Sequence, residues 1–101
     1  MNFISESNIF LCQNIKSKEE LFTFLSNISK TLSISDNPED VKKGLFDREN
    51  EGNTVIAEMI AMPHARVESI KKLQLILVSL ENPIEYIEYK SIELSKKIKE
   101  N

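Results

Sequence analysis

Apolar residues at Leu21, Phe24, Leu25, Ile28 and Leu32 recur at spacings of three and four, drawing one stripe along a helix that runs to about Ser33. Ser17-Lys18-Glu19-Glu20 precedes the stripe as a capping box, in which the Ser17 hydroxyl and the Glu20 carboxylate can each take a free backbone N–H of the first turn. A second helix is predicted from Asp36-Asn37-Pro38-Glu39-Asp40, which supplies a side-chain cap, Pro at the first helical position and acids at the positive end of the helix dipole. It carries Val41, Leu45 and Phe46 inward and is expected to end near Glu51-Gly52, with Gly52 in the left-handed cap conformation. Gly44 in its interior costs about 1 kcal/mol relative to Ala, which implies close backbone packing there.

The remaining apolar runs are short and read as strands. Ile9-Phe10-Leu11-Cys12 is a candidate, and Thr54 to Ala57 with Ile60 to Met62 form two short strands or one bent one. Leu73 to Leu80, broken only by Gln74 and Ser79, is expected to be a strand buried on both faces, closed by the turn signal Asn82-Pro83. Tyr86 to Asn101 is polar and Lys-rich, with Ile87, Ile92 and Ile98 too sparse for a wide stripe, which predicts a marginal C-terminal helix. Helices flanking a small set of strands give an α/β layered sandwich. At 101 residues one domain with one core is expected.

Composition narrows the function classes. A net charge of −3 lacks the clustered Lys and Arg that a nucleic-acid partner requires. Leu73 to Leu80 falls well short of the ~20 apolar residues of a membrane helix, and no basic region precedes an apolar stretch at the N-terminus, so a soluble chain without a secretory signal is expected. A single Cys12 and a single His64 cannot make a disulfide framework or a zinc site by themselves, and a reducing cytoplasm is the expected compartment. Cys12 itself is expected to be a small buried apolar side chain.

His64 follows the apolar, proline-ended run Ile60-Ala61-Met62-Pro63. Pro restricts the residue before it to extended geometry and gives no N–H to a ladder, so His64 is expected at a strand end on the rim of a sheet. Imidazole is largely unprotonated near neutral pH, leaving one ring nitrogen free as a nucleophile toward a phosphoryl group. Phosphoryl transfer then needs donors for spread negative charge, and the planar forks of Arg48 and Arg66 suit phosphate oxygens. Arg66 stands equally well as a solvated surface charge, and a lone histidine is more often structural than catalytic.

The run from Glu49 to Ala65 makes the reading specific. Glu49, six free positions, the aliphatic Ile56, the small Ala57, two free positions and Ile60-Ala61-Met62-Pro63-His64-Ala65 resemble the phosphohistidine signature of the fructose/mannitol-type enzyme IIA domains of the bacterial sugar phosphotransferase system. Arg48 falls where that family usually has an active-site arginine, and the two helices before the motif are in the family order. The resemblance covers about residues 1 to 86 and implies a small mixed β-sheet flanked by helices, C-terminally shortened, with residues 87 to 101 as a polar tail or short helix. It implies that His64 takes a phosphoryl group from HPr and gives it to a IIB domain, with Arg48 orienting or stabilising it, and with no metal or organic cofactor.

Two departures accompany the resemblance. Ala57-Glu58-Met59 replaces a Gly-rich approach to the histidine and puts a charge close to it, and the later strand, helix and second histidine of many members have no counterpart. The alternatives are therefore a non-catalytic IIA-like module that binds a regulatory partner, or an inactive truncated fragment. Glu49 is the candidate acid behind the site, with a plain surface carboxylate as its alternative. Subtracting the missing elements also leaves the Leu73 to Leu80 strand open, which predicts self-association, most simply as a symmetric homodimer.

Overall fold

The computed structural model describes residues 5–87. After a 3-10 turn at Glu6–Asn8 come β1 (Ile9–Gln13), α1 (Lys18–Thr31), α2 (Pro38–Glu51), β2 (Val55–Ala57), β3 (Ile60–Ala61) and β4 (Leu77–Leu80). Among the described residues the strands form two small sheets, β1 parallel to β4 and β2 antiparallel to β3, and with the two helices they make a mixed α/β fold. The predicted C-terminal helix lies outside the described residues.

Both helix starts follow local chemistry. The Ser17 hydroxyl accepts from Glu20 N at 3.1 Å, while the Glu20 carboxylate reaches back to Lys16 N at 2.6 Å, one residue further than in a strict capping box. Asn37 accepts from Asp40 N at 3.2 Å and Pro38 opens α2. The far end of α2 differs from expectation: Gly52 has φ 160° and ψ 142°, which is extended backbone, and only its N–H returns to Glu49 O. The chain leaves α2 straight, and this puts the Gly52 carbonyl where Arg48 Nη1 donates to it at 2.8 Å.

The core is centred on Phe22, which is fully buried, with Val41 and Leu45. Leu21, Leu25, Phe46, Ala65, Val67, Ile70 and Tyr86 pack around it, and the Phe22 ring meets those of Phe46 and Tyr86 edge-on at 4.7 and 6.2 Å. The buried line of α1 is Phe22, Ser26 and Ser29 rather than the apolar stripe. Two of these are serines whose hydroxyls donate to Phe22 O and Ser26 O, so the helix's own carbonyls satisfy them and they add little bulk. Leu21 and Leu25 flank that line, and Phe24 turns aside to stack edge-on with Phe10 at 5.4 Å.

Two strand expectations are corrected. Leu73 to Leu80 is not buried on both faces: only Leu77–Leu80 is strand, burial alternates along it, and Leu73, Leu75 and Leu77 are exposed, Leu73 at 72%. Upstream of β4 the partner backbone gives way to a side chain, the Asn8 amide donating to Leu75 O at 2.8 Å and to Gln74 Oε1 at 3.0 Å. Cys12 is exposed rather than buried. The β1–β4 register shifts between Phe10 and Gln13, Cys12 takes a left-handed φ of 54°, and its N–H bonds the Ser79 hydroxyl at 2.8 Å, so the backbone turn carries the thiol out to solvent. Among the described residues no helix is long and apolar enough to cross a membrane.

Candidate active site

The last turns of α2 and the segment after the β2–β3 hairpin build the site. Gly44 and Arg48 are one helical turn apart and share a face of α2. A β-carbon on Gly44 would lie 2.6 Å from Val67 Cγ1 and 3.1 Å from Ala65 Cβ, so the missing side chain is what lets the 64–67 segment rest on the helix. With Ala65 seated on Gly44, His64 comes to rest beside Arg48, whose Nε donates to His64 Nε2 at 3.1 Å. His64 does not sit at the strand end itself: it stands three residues past β3, after a segment tied back by Met62 N donating to Thr54 O at 2.9 Å.

The hydrogen bonds define the imidazole's protons. A guanidinium has only donors, so Nε2 in this contact is an acceptor carrying a lone pair, and the ring proton belongs on Nδ1. Nδ1 has a matching acceptor, the Met62 carbonyl oxygen at 3.1 Å. Both bonds thus agree on one tautomer of a neutral ring, whose lone-pair nitrogen faces a cation on an exposed residue. Arg48 is itself fixed through Nη1 on Gly52 O.

The other two candidates lie apart from this pair. Arg66 is exposed two residues beyond His64, with no ion pair or side-chain hydrogen bond among the described residues. Glu49 is 8% exposed, so it is no surface carboxylate, and its hydrogen bonds go to Lys18, Thr54 and Tyr86 rather than to His64. Its Oε2 accepts from Lys18 Nζ at 3.0 Å; its Oε1 accepts from the Thr54 hydroxyl and from the Tyr86 hydroxyl, the latter at 2.8 Å. Burial alone would raise the Glu49 carboxyl, but the hydrogen bonds from Thr54, Tyr86 and Lys18 outweigh it and hold the group below the ordinary glutamate range. Burial, with the Glu49 charge behind it, pushes the Tyr86 phenol well above its ordinary value despite the Thr54 hydroxyl.

Lys18, Thr54, Tyr86 and the Met62 carbonyl were not singled out in the sequence. Lys18 and Tyr86 stand 31 and 37 positions from Glu49, beyond any local spacing rule. Among the described residues no group of three or more His, Cys, Asp or Glu side chains is placed to hold a metal ion.

Three comparisons bear on what this geometry serves. The family model described as "Phosphoenolpyruvate-dependent sugar phosphotransferase system, EIIA 2" matches residues 2–99. The chain is 25% identical over 84 residues to the "Probable licABCH operon regulator" of Bacillus subtilis (strain 168), covering 83% of this chain and 13% of that protein. Its structure superimposes with a TM-score of 0.56 and 29% identity on a chain of the complex of enzyme IIAMTL and phosphorylated enzyme IIBMTL from Escherichia coli, covering 68% of this chain and 46% of that one. The chain therefore spans less than half the length of each of these two relatives.

Proposed function

The chain belongs to the EIIA 2 family of the phosphoenolpyruvate-dependent sugar phosphotransferase system, and from that membership we propose that it is a phosphoryl carrier working through His64 Nε2. The observation that carries the reading is the 3.1 Å contact from Arg48 Nε to that nitrogen, with the ring proton committed to Met62 O on the opposite side. In the transfer the Nε2 lone pair attacks phosphorus, the bond from phosphorus to the donor's nitrogen breaks, and Nδ1 keeps its proton throughout. The guanidinium, already beside Nε2, moves from nitrogen to the equatorial phosphoryl oxygens, where charge spreads in the transition state. The Met62 carbonyl faces the Nδ1–H and stabilises the positive character that the phosphorylated ring acquires.

The donor in this reading is phospho-HPr and the acceptor a IIB domain, as the resemblance implies; a IIA–IIB complex among the similar structures supports the second. Exposed Ile56, Met59, Ile60 and Met62 on the hairpin give a protein partner an apolar footing next to His64. The whole chain acts in the cytoplasm as one IIA-like domain. Arg66, exposed on the same segment, meets the partner's phosphoryl group or its acidic rim. Incubation with phosphoenolpyruvate, enzyme I and HPr tests the proposal: acid-labile phosphate on His64 is expected, and none appears if the chain does not carry it.

A second reading has its own support. The similarity to a probable operon regulator favours a module in which the phosphorylation state of His64 is read by a partner rather than passed on. The two part at the next step, since a carrier loses its phosphate when a IIB domain is added and a regulatory module keeps it. In either case the exposed leucines of β1 and β4 are covered by a second copy of the chain in a homodimer.

A further inference from the structure

The site's two halves are joined by one buried carboxylate that neither half touches. Glu49 adjoins Arg48 on α2, and through Oε1 it holds the hydroxyl of Thr54, a residue only 5% exposed at the base of the hairpin. The Thr54 carbonyl in turn accepts from Met62 N, and the Met62 carbonyl accepts from His64 Nδ1. Two more segments lock the carboxylate: Lys18, from the start of α1, on Oε2, and Tyr86, from beyond β4, on Oε1 at 2.8 Å and beside Thr54 Oγ1 at 2.9 Å. The Lys18 ammonium also lies 4.5 Å from the centre of the Tyr86 ring, so the cation and the phenol hold each other as well.

From this arrangement we infer that Lys18, Thr54 and Tyr86 form with Glu49 a positioning cluster that keeps the proton on His64 Nδ1 and the Nε2 lone pair facing Arg48. None of the four touches the reacting nitrogen. Each acts through the Thr54–Met62 backbone bond, which sets where the acceptor for Nδ1–H stands. Loosening Thr54 lets that carbonyl drift, the Nδ1–H loses its partner, and the ring exchanges into the opposite tautomer, whose Nε2 carries a proton and cannot attack. The inference rests on Nε2 being the phosphoryl acceptor for its purpose, but its primary test needs no phosphoryl donor.

The test is nitrogen-15 NMR of the His64 ring in the full chain, at a pH where the ring is neutral. The wild type is expected to show an Nδ1–H, Nε2-lone-pair ring. Thr54→Val, close in shape but without the hydroxyl, is expected to shift the ring toward the Nε2–H form, and Thr54→Ser to restore the wild-type pattern. Tyr86→Phe removes one hydroxyl and no carbon, so it reads out even if Thr54→Val does not fold, with a smaller shift in the same direction. If phosphoryl labelling occurs, Thr54→Val slows it by about 10- to 100-fold, as expected of a sub-ångström to 1 Å misplacement. Folded Thr54→Val or Tyr86→Phe proteins with an unchanged ring pattern overturn the inference. A wild-type ring in the stated tautomer that takes no phosphate overturns the carrier reading instead and leaves the cluster standing.

Discussion

Gly44 and Val67 approach so closely that a β-carbon on the glycine would lie 2.6 Å from the valine Cγ1, well inside van der Waals contact. This approach seats the His64 segment on α2. Gly44→Ala gains about 1 kcal/mol of helix propensity but overpacks a core site, at about 1–3 kcal/mol. We expect a net loss of stability in thermal or chemical unfolding, with slower phosphoryl labelling because Ala65 and His64 are pushed off the helix. Gly44→Ala with Val67→Ala should recover part of the stability; a single Gly44→Ala as stable and active as the wild type would show that the segment yields freely.

Arg48→Lys should leave the fold intact and slow phosphoryl transfer. One ammonium cannot contact Gly52 O and Nε2 together, as Arg48 does through Nη1 and Nε. Loss of one preorganised donor costs about 100- to 1000-fold in rate, or about 3–4 kcal/mol. Rapid-quench kinetics with phospho-HPr measures it, with His64→Ala as the unlabelled control. An unchanged rate in Arg48→Lys would transfer the stabilising role to Arg66.

Glu49 gives the fold an acid-side dependence whose sign is fixed. Its folded carboxyl titrates below the ordinary glutamate value, so between the two values the unfolded chain binds the proton and the folded one does not. The stabilisation is therefore complete above the ordinary value and is lost as pH falls through the folded one. Glu49→Gln should be clearly less stable than the wild type near pH 7, and in urea unfolding the gap should narrow as pH falls below the ordinary glutamate range. A gap that is constant with pH would mean that the carboxylate charge contributes nothing there.

What the sequence revealed was what neighbouring residues decide among themselves. Ser17 and Asn37 cap their helices because the groups they satisfy are three residues away, and the run from Arg48 to Arg66 contains both members of the His64–Arg48 pair. Where distant segments set the outcome, no local pattern in the chain announces it. Phe22 rather than Phe24 lies at the core because α2, Tyr86 and the 65–70 segment converge there, and Glu49 is buried because Lys18 and Tyr86 arrive to neutralise and bond it. The apolar run at Leu73 suggested a long strand, but β1 offers Leu77–Leu80 alone a backbone to pair with, and Asn8 substitutes a side chain before that.

The exposed leucines 11, 73, 75 and 77 predict concentration-dependent association. Sedimentation equilibrium at micromolar concentration should report a species heavier than the 11.6 kDa chain, and Leu77→Lys should shift it toward monomer. A clean 11.6 kDa species that melts cooperatively would exclude the homodimer.

The parallel pairing of β1 with β4 also orders events in time. Cys12 and Ser79, bonded across that pair, are 67 positions apart, whereas Arg48 and His64 are 16 apart, and Glu49 and Thr54 only five. Closing the longer loop costs more entropy and is slower, and during synthesis the N-terminal strand leaves the ribosome long before its partner exists. The histidine and its arginine can thus meet on a nascent chain whose first strand is still single. In that interval the unpaired backbone of Ile9–Gln13 is open to capture by another chain, so yield in the cell should depend on how fast residues 77–80 follow.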